Sequence, residues 1–336
     1  MRFSFLLLFF SFALFANSFK FVANPYKEYY YKEKNRYARN IWDMQLYKSK
    51  IYIGGGNSSN SLPSPNAGRV PLYSISKNDT IQYEYKVAEE QINLFKIYDD
   101  TLYIPGHDAT QKWEYGNFYE LKNNKWIKYR TIPNALHVYD LVKQGNRIYV
   151  ALGLIYYKGS ILYSEDKKHW KVYKRYKHRV YSLASLNNHI IAGNDLVKAN
   201  YKAIRLKKLQ NSLFFISAKL FNDHQSIPVD FCKAEYKNKK IITTKIATPK
   251  NFLPYDILIR KNSIYLLLNR KYKDYYEIKV IKYNYKNLSQ FTTVISFRYE
   301  SFARSFEKRD GYFYFGIGCD TKNIQSSCGN ILKIRG

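Results

Sequence analysis

The sequence predicts an all-β protein, a single-domain β-propeller of seven blades, with six as the alternative count. Three observations predict it. The 336-residue chain carries 35 Tyr and 21 Phe, residue types that favour strands. Its apolar residues alternate over short runs and nowhere hold a 3.6-residue period over helical length, which disfavours a helical solenoid. A hairpin-like unit also recurs. Its central positions 43, 93, 140, 182 and 230 are spaced by roughly 40–50 residues, the repeat length of a four-stranded propeller blade.

The chain opens on a candidate signal peptide, residues 1–18. Arg2 supplies a positive start, Phe3–Ala16 is an uncharged apolar run, and Ala16-Asn17-Ser18 offers small residues for cleavage after Ser18. As a helix the run would span about 21 Å, short of the ~30 Å hydrocarbon core. A retained anchor and a buried N-terminal strand or helix are the competing readings. No Cys lies near the run to carry a lipid, and no later segment is apolar enough to cross a membrane, so no transmembrane anchor is expected after cleavage. The expected location is outside the cytoplasm, periplasmic or secreted. Residues 19–40, with Tyr29-Tyr30-Tyr31 among Lys and Glu, read as a tether or an edge strand. The propeller is expected over residues 41–336.

Each repeat begins at a short anchor and returns through a polar turn to a second strand. Trp42-Asp43-Met44 leads to Lys50–Gly54, Ile92-Asn93-Leu94 to Thr101–Ile104, and Tyr139-Asp140-Leu141 to Arg147–Val150. Tyr181-Ser182-Leu183 leads to His189–Gly193, and Val229-Asp230-Phe231 to Lys240–Thr243. Tyr255-Asp256-Ile257 leads to Ser263–Leu266, and Phe302-Ala303-Arg304 to Gly311–Gly316. Outer strands are expected at Gly116–Leu121 with Lys125–Tyr129, and at Ser160–Tyr163 with Trp170–Tyr173. The step from Asp230 to Asp256 is too short for a full blade, so one unit is truncated or one anchor is false.

The charge balance is 55 Lys+Arg against 26 Asp+Glu, a net +29. Such a field attracts nucleic acid, anionic lipid or anionic polysaccharide. The basic residues are spread along the whole chain beside abundant Tyr, Asn, Ile and Phe, which reads as compositional bias more than as a built polyanion site. The densest run, Lys237-Asn238-Lys239-Lys240, reads as a hairpin turn. Of the three cysteines, Cys319 and Cys328 flank a polar loop between strand-like segments and are expected to form a disulfide, with Cys232 a buried free thiol. No CxxC spacing supports a thiolate metal site.

The segment Ser164-Glu165-Asp166-Lys167-Lys168-His169-Trp170 resembles the Asp box, the S-x-D-G-x-x-W turn of sialidase-type propellers, with Lys167 at the Gly position. In that family the box is a hairpin turn remote from catalysis, so the resemblance implies a propeller fold and says little about activity. A sialidase site would further need an arginine triad. Tyr129-Arg130-Thr131-Ile132-Pro133 is similar to the family's arginine motif but is interrupted by Thr131, and Arg69 and Arg304 could complete a triad only by assumption.

The most site-like stretch is 104–140. His107, Asp108, Trp113, Arg130, His137 and Asp140 fall within one blade-to-blade crossing and could line one mouth of the central channel. Two His and two Asp have the chemistry for a divalent metal or for acid–base work. Against this, Asp140, like Asp43 and Asp256, stands where a structural carboxylate would satisfy neighbouring backbone amides. Gly54–Ser59 reads as a flexible blade loop. No nucleotide, zinc-protease or serine-hydrolase motif is present, so no cofactor or metal is expected and no catalytic residue is assigned. The expected function is binding or scaffolding of an unidentified extracytoplasmic ligand, a glycan (anionic polysaccharide included), a peptide or a partner protein, and not nucleic acid. The alternative is a polysaccharide-acting hydrolase or lyase, a sialidase-like glycosidase included.

Overall fold

In the computed structural model, the described residues are 18–59, 66–154, 158–221, 226–238, 240–321 and 324–336. The candidate signal peptide therefore lies almost wholly outside the described residues. The segment after it forms β1 (Lys20–Ala23) and a single 3-10 turn over Glu33–Arg39. Blade 1 is β2 (Asp43–Tyr47), β3 (Lys50–Gly54), β4 (Val70–Ile75) and β5 (Ile81–Val87). Blade 2 is β6 (Lys96–Tyr98), β7 (Thr101–Pro105), β8 (Tyr115–Lys122) and β9 (Lys125–Pro133). Blade 3 is β10 (His137–Gln144), β11 (Arg147–Gly153), β12 (Gly159–Ser164) and β13 (Lys171–Tyr176). A two-stranded sheet comes next, β14 (Leu183–Leu186) with β15 (His189–Ala192). Blade 4 is β16 (Tyr201–Leu209), β17 (Ser212–Leu220), β18 (Ser226–Lys237) and β19 (Lys240–Ile246). Blade 5 is β20 (Leu253–Arg260), β21 (Ser263–Lys271), β22 (Tyr276–Asn284) and β23 (Asn287–Tyr299). Blade 6 is β24 (Ala303–Arg309), β25 (Tyr312–Ile317) and β26 (Ile331–Arg335), with β1 as its outermost strand.

The protein is thus a six-bladed propeller rather than a seven-bladed one, with a hairpin inserted between blades 3 and 4. The difference in count comes from the Tyr181 unit, which has two strands where a blade has four; two further misreadings cancel each other. Val229-Asp230-Phe231 is a false anchor: it lies in β18, the third strand of blade 4, where Asp230 pairs with Lys245. The true first strand of that blade, β16, escapes notice because a bulge between Ile204 and Lys207 interrupts its alternation. The Tyr181-Ser182-Leu183 anchor is real but yields only two strands.

Hairpin turns follow local chemistry. Asp99-Asp100, Asn123-Asn124 and Asn187-Asn188 all take positive φ, the conformation that two-residue hairpin turns demand and that Asx side chains tolerate. The apolar clusters lie between blades. One joins Ile51, Ile53 and Leu72 of blade 1 to Phe95, Leu102 and Tyr119 of the blade 2 segment. Another joins Phe214 and Phe231 of blade 4 to Ile264 and Tyr283 of blade 5. Each sheet is apolar on both faces because each face is another blade's core.

A second set of contacts, all polar, runs around the innermost strands. Asp43 accepts the Phe95 N–H at 2.7 Å, and Asp256 accepts the Phe306 N–H at 3.2 Å. Asp140 accepts the Leu183 N–H at 2.9 Å and pairs with Lys96 at 3.0 Å. Ser182 donates to the Ala203 carbonyl at 2.6 Å, and Glu307 accepts the Leu46 N–H at 2.7 Å. Arg205 crosses the channel to Asp43 at 3.0 Å and Asp256 at 3.5 Å. Its φ of +57° puts it in the left-handed region at the bulge, where the backbone turn aims the side chain inward.

The Gly54–Gly56 segment is packed, not flexible. A Cβ on Gly55 would fall 2.4 Å from the buried Tyr26 ring, and Gly56 has φ +102° with a Cβ position 2.4 Å from the Glu90 carbonyl. Cys319 and Cys328 are disulfide-bonded, their Cα atoms 4.9 Å apart, and Cys232 is free and buried.

Asp43→Ala should cost about 3–5 kcal/mol in urea unfolding, because it leaves the Phe95 N–H without its acceptor and removes the nearer of the two carboxylates that pair with the buried Arg205. A loss no larger than the roughly 0.5 kcal/mol of an ordinary surface change would refute this role.

Candidate functional site

All first strands start at the same face of the propeller, so the residues just before them, and the loops joining second to third strands, share one channel mouth. The repeat anchors place an aromatic residue there four times: Trp42, Tyr181, Tyr255 and Phe302 line a cavity of about 450 Å³ that descends to Arg205. Trp42 is held by its indole N–H, which donates to the Gly56 carbonyl at 2.7 Å. On the far rim Tyr276 donates to Asp320 at 2.7 Å, and Lys271 pairs with the same carboxylate.

Of the cations that line this cavity, two stand among the aromatic rings, Lys202 at the start of β16 and Arg304 in β24. The Arg304 guanidinium lies 4.1 Å from the Trp42 ring centroid and 5.0 Å from that of Phe302, and its Nε donates to Asn40 at 3.0 Å. The Lys202 ammonium stands 4.9 Å from the Tyr181 ring centroid. Neither makes an ion pair among the described residues. Burial, with Arg304 nearby, pushes the Lys202 amine down to about 8. Burial likewise lowers Arg304 from its ordinary value. The acids deeper in the channel do not compensate, since Asp43, Asp140 and Asp256 are engaged by the inner-strand contacts.

Beside this mouth lies part of the cluster expected from sequence. His137 Nδ1 is 3.0 Å from the His107 carbonyl and 3.5 Å from an Asp108 carboxylate oxygen. The His137 ring stacks on Tyr139 with centroids 5.0 Å apart, and Tyr139 in turn is 4.8 Å from Tyr181 of the mouth. Arg179 donates to the Tyr139 hydroxyl at 3.0 Å. Gly153 permits this packing, for a Cβ there would fall 2.6 Å from the Tyr139 ring. Behind the group, Glu89 accepts from Asn117 and Tyr119. Burial, with the charges of Glu90 and Glu89, raises Asp108 to about 8. Burial raises both Glu89 and Glu90 to about 7 and holds His107 well below its ordinary range.

The structure therefore brings together His107, Asp108 and His137, and sets the other three apart. Asp140 belongs to the inner ring, its carboxylate taken by Lys96 and the Leu183 and Leu141 amides. Trp113 is exposed on the blade 2 flank, donating to Ala109 at 3.3 Å. Arg130, in the outermost strand of that blade, donates to the Lys112 carbonyl at 2.6 Å and covers the Tyr115 ring. Arg69, Arg130 and Arg304 sit before or in a third, a fourth and a first strand respectively. Among the described residues no three His, Cys, Asp or Glu side chains converge as a metal site. Sequence reasoning passed over Lys202, Tyr181 and Trp42 as site residues. The signal was available: the aromatic that precedes the central residue of an anchor points to the mouth.

The Asp-box-like turn joins β12 to β13. Asp166 accepts the Lys168 and His169 amides at 2.9 and 2.8 Å and the Ser164 hydroxyl at 3.0 Å, while Lys167 takes φ +65° where the motif has Gly. Trp170 packs on Phe118 and donates to Thr131 at 3.1 Å.

No protein-family model matches the chain. No curated protein matches it either. Solved structures do. An α-L-arabinanase of Penicillium chrysogenum in complex with arabinobiose aligns with a TM-score of 0.50 at 11% identity, over 88% of this chain and 93% of that one. A mutant α-L-arabinofuranosidase of Fusarium graminearum, in complex with an iminosugar inhibitor, aligns with the same TM-score, identity and coverage. At this identity the likeness is one of fold, the β-propeller.

The raised carboxyl groups make a pH prediction. A carboxyl whose folded value is raised stabilises most below its unfolded value of about 4, and that contribution is lost as pH rises through the folded value. Glu89, Glu90 and Asp108 should therefore make the melting temperature fall from pH 5 toward pH 8, the window ending at the folded values of about 7 to 8. His107 acts oppositely, its contribution being lost as pH falls below about 6.5. Asp108→Asn should flatten the decline; a thermal-shift series with an unchanged slope would contradict the assignment.

Proposed function

We propose that this protein is an exported β-propeller that binds an anionic glycan at the mouth of its central channel. The carrying observation is the pair Lys202 and Arg304, set among Trp42, Tyr181, Tyr255 and Phe302 without an ion-pair partner among the described residues. Aromatic faces stack on sugar rings, and a guanidinium grips a carboxylate or sulfate through two parallel hydrogen bonds. Two cations without carboxylates leave an electrostatic deficit that an anion relieves. The His107–Asp108–His137 group flanks this site, joined to it through the rings of Tyr139 and Tyr181. The Asp-box-like turn around Asp166 is a resemblance to sialidase-type propellers in one structural turn and carries no part of the function.

A second reading is a polysaccharide-acting hydrolase or lyase. What favours it is Asp108, kept protonated near neutral pH beside His137, the state a general acid needs. The names of the two fold neighbours, an arabinanase and an arabinofuranosidase, agree with carbohydrate chemistry. The release of new reducing ends from a bound polysaccharide separates this reading from binding alone.

Calorimetry with digalacturonate should give binding that Lys202→Met and Arg304→Met each weaken by about tenfold or more, in line with hydrogen bonds between charged groups. Arg304→Lys should recover part of the loss but not all of it. Affinity should also decline as pH rises through about 8, where Lys202 loses its charge. Wild-type affinity in both Met variants would reject the site.

Export is part of the proposal, resting on Arg2 and Phe3–Ala16. N-terminal sequencing of the mature protein should begin at Phe19. Soluble protein retaining Met1 would overturn it.

A further inference from the structure

The hairpin β14–β15 stands between two four-stranded blades and has no third or fourth strand. On the channel-mouth face, the chain leaving β15 turns at once through Gly193–Asp195 and reaches β16 by a short link. The result is a notch of about 500 Å³ at the propeller rim. The notch is not a separate cavity in function, because Tyr181 and Lys202 line both it and the channel mouth.

Its charge is one-sided. Lys177, His178, Arg179 and Lys198 line it with Lys202, and the described lining residues include no Asp or Glu. Asp195, the acid nearest in sequence, is held outside by Lys174 at 3.2 Å and by the Tyr176 hydroxyl at 3.0 Å. Lys177, His178 and Lys198 are exposed, and neither lysine makes an ion pair among the described residues. At the outer end Phe221 is 60% exposed. An exposed aromatic at one end, Tyr181 at the other and a row of cations between them form a track.

We propose that this notch is the extension of the channel-mouth site for a polymer, a groove that holds successive anionic residues of one polysaccharide chain as it leaves the mouth toward the rim. The inference rests on the channel-mouth reading and adds to it that the ligand is a chain, not a single sugar. Several weak contacts along one flexible ligand act together, so affinity rises with ligand length up to the length of the track. Exposed charges also make the added affinity sensitive to salt, since a Debye length is about 8 Å at physiological ionic strength. The recognised chemistry is an anionic substituent repeated along a glycan, whether carboxylate or sulfate.

The test uses the full-length mature protein and two probe series: galacturonate oligomers of one to six units, and sulfated galactan oligomers of the same lengths. Neutral cello-oligosaccharides and a single-stranded DNA hexamer serve as comparisons. Wild-type affinity should rise at least tenfold from dimer to hexamer in one anionic series, and the series that responds identifies carboxylate or sulfate. In the double variant Lys177→Glu/Lys198→Glu, exposed positions that leave the core untouched, the hexamer-to-dimer ratio should fall to near one. In Lys202→Met, all lengths should weaken together. Equal affinity for dimer and hexamer, or a wild-type ratio in the double variant, overturns the groove while leaving the mouth site standing. Failure of every anionic oligomer to bind overturns both. Tighter binding of the DNA than of any glycan overturns the assignment to polysaccharide.

Discussion

The ring of polar contacts between innermost strands is the constraint on which the rest of this propeller depends. Blades pack face to face through apolar surfaces, and apolar contact alone sets no exact radial position. The carboxylates of Asp43, Asp140, Asp256 and Glu307 supply one, each taking an amide from the next inner strand. Ser182 and Lys96 cover two further junctions, and Arg205 joins blade 4 to both blade 1 and blade 5. A buried carboxylate without partners is costly, so each one tolerates only the geometry that satisfies it.

That ring also decides what the channel mouth can offer. Its acids are consumed by backbone amides and by Arg205, so they cannot neutralise the cations above them. Lys202 and Arg304 remain facing aromatic rings instead of carboxylates. The aromatics owe their position to the same device, since each stands next to a residue pinned at the start of an inner strand. Structural staple and candidate binding surface are adjacent positions of one repeat.

Legibility in the sequence follows this division. The fold could be read because Asp43, Asp140 and Asp256 recur with aromatics before them and Asx or Gly turns after them, all local signals. The blade count could not, because nothing local in the 181–193 repeat shows that it stops at two strands, and the repeat positions blurred where β16 hides its alternation behind the bulge at Arg205 and β18 imitates an anchor. Of the candidate site, His107, Asp108 and His137 were accessible as polar residues at the ends of neighbouring strands. Trp113 and Arg130 looked equivalent in sequence, yet they lie on the flank, because radial position within a blade depends on which strand a residue joins. Lys202 carried no signal at all in a chain with so many lysines; what distinguishes it is its place in the channel mouth beside the Tyr181 ring, and that is a property of the folded surface. Gly55 misled in the opposite sense, its small size serving contact with Tyr26 and not mobility.

The pairing of β1 with β26 sets Lys20 opposite Lys333, at nearly the greatest sequence separation the chain allows. Closing the circle therefore joins its first strand to its last. For a chain delivered N-terminus first, the earliest segment to emerge must wait for the latest before it finds its neighbours. Until then the outer edge of β26's place is empty, and the exposed Phe19 and Phe21 have no blade to lie against. Loop-closure entropy makes such a contact late and slow. The final event of folding is thus also the one that makes the circle indivisible: before it the blades form an open arc whose ends fray, and afterwards no blade can leave without breaking two interfaces.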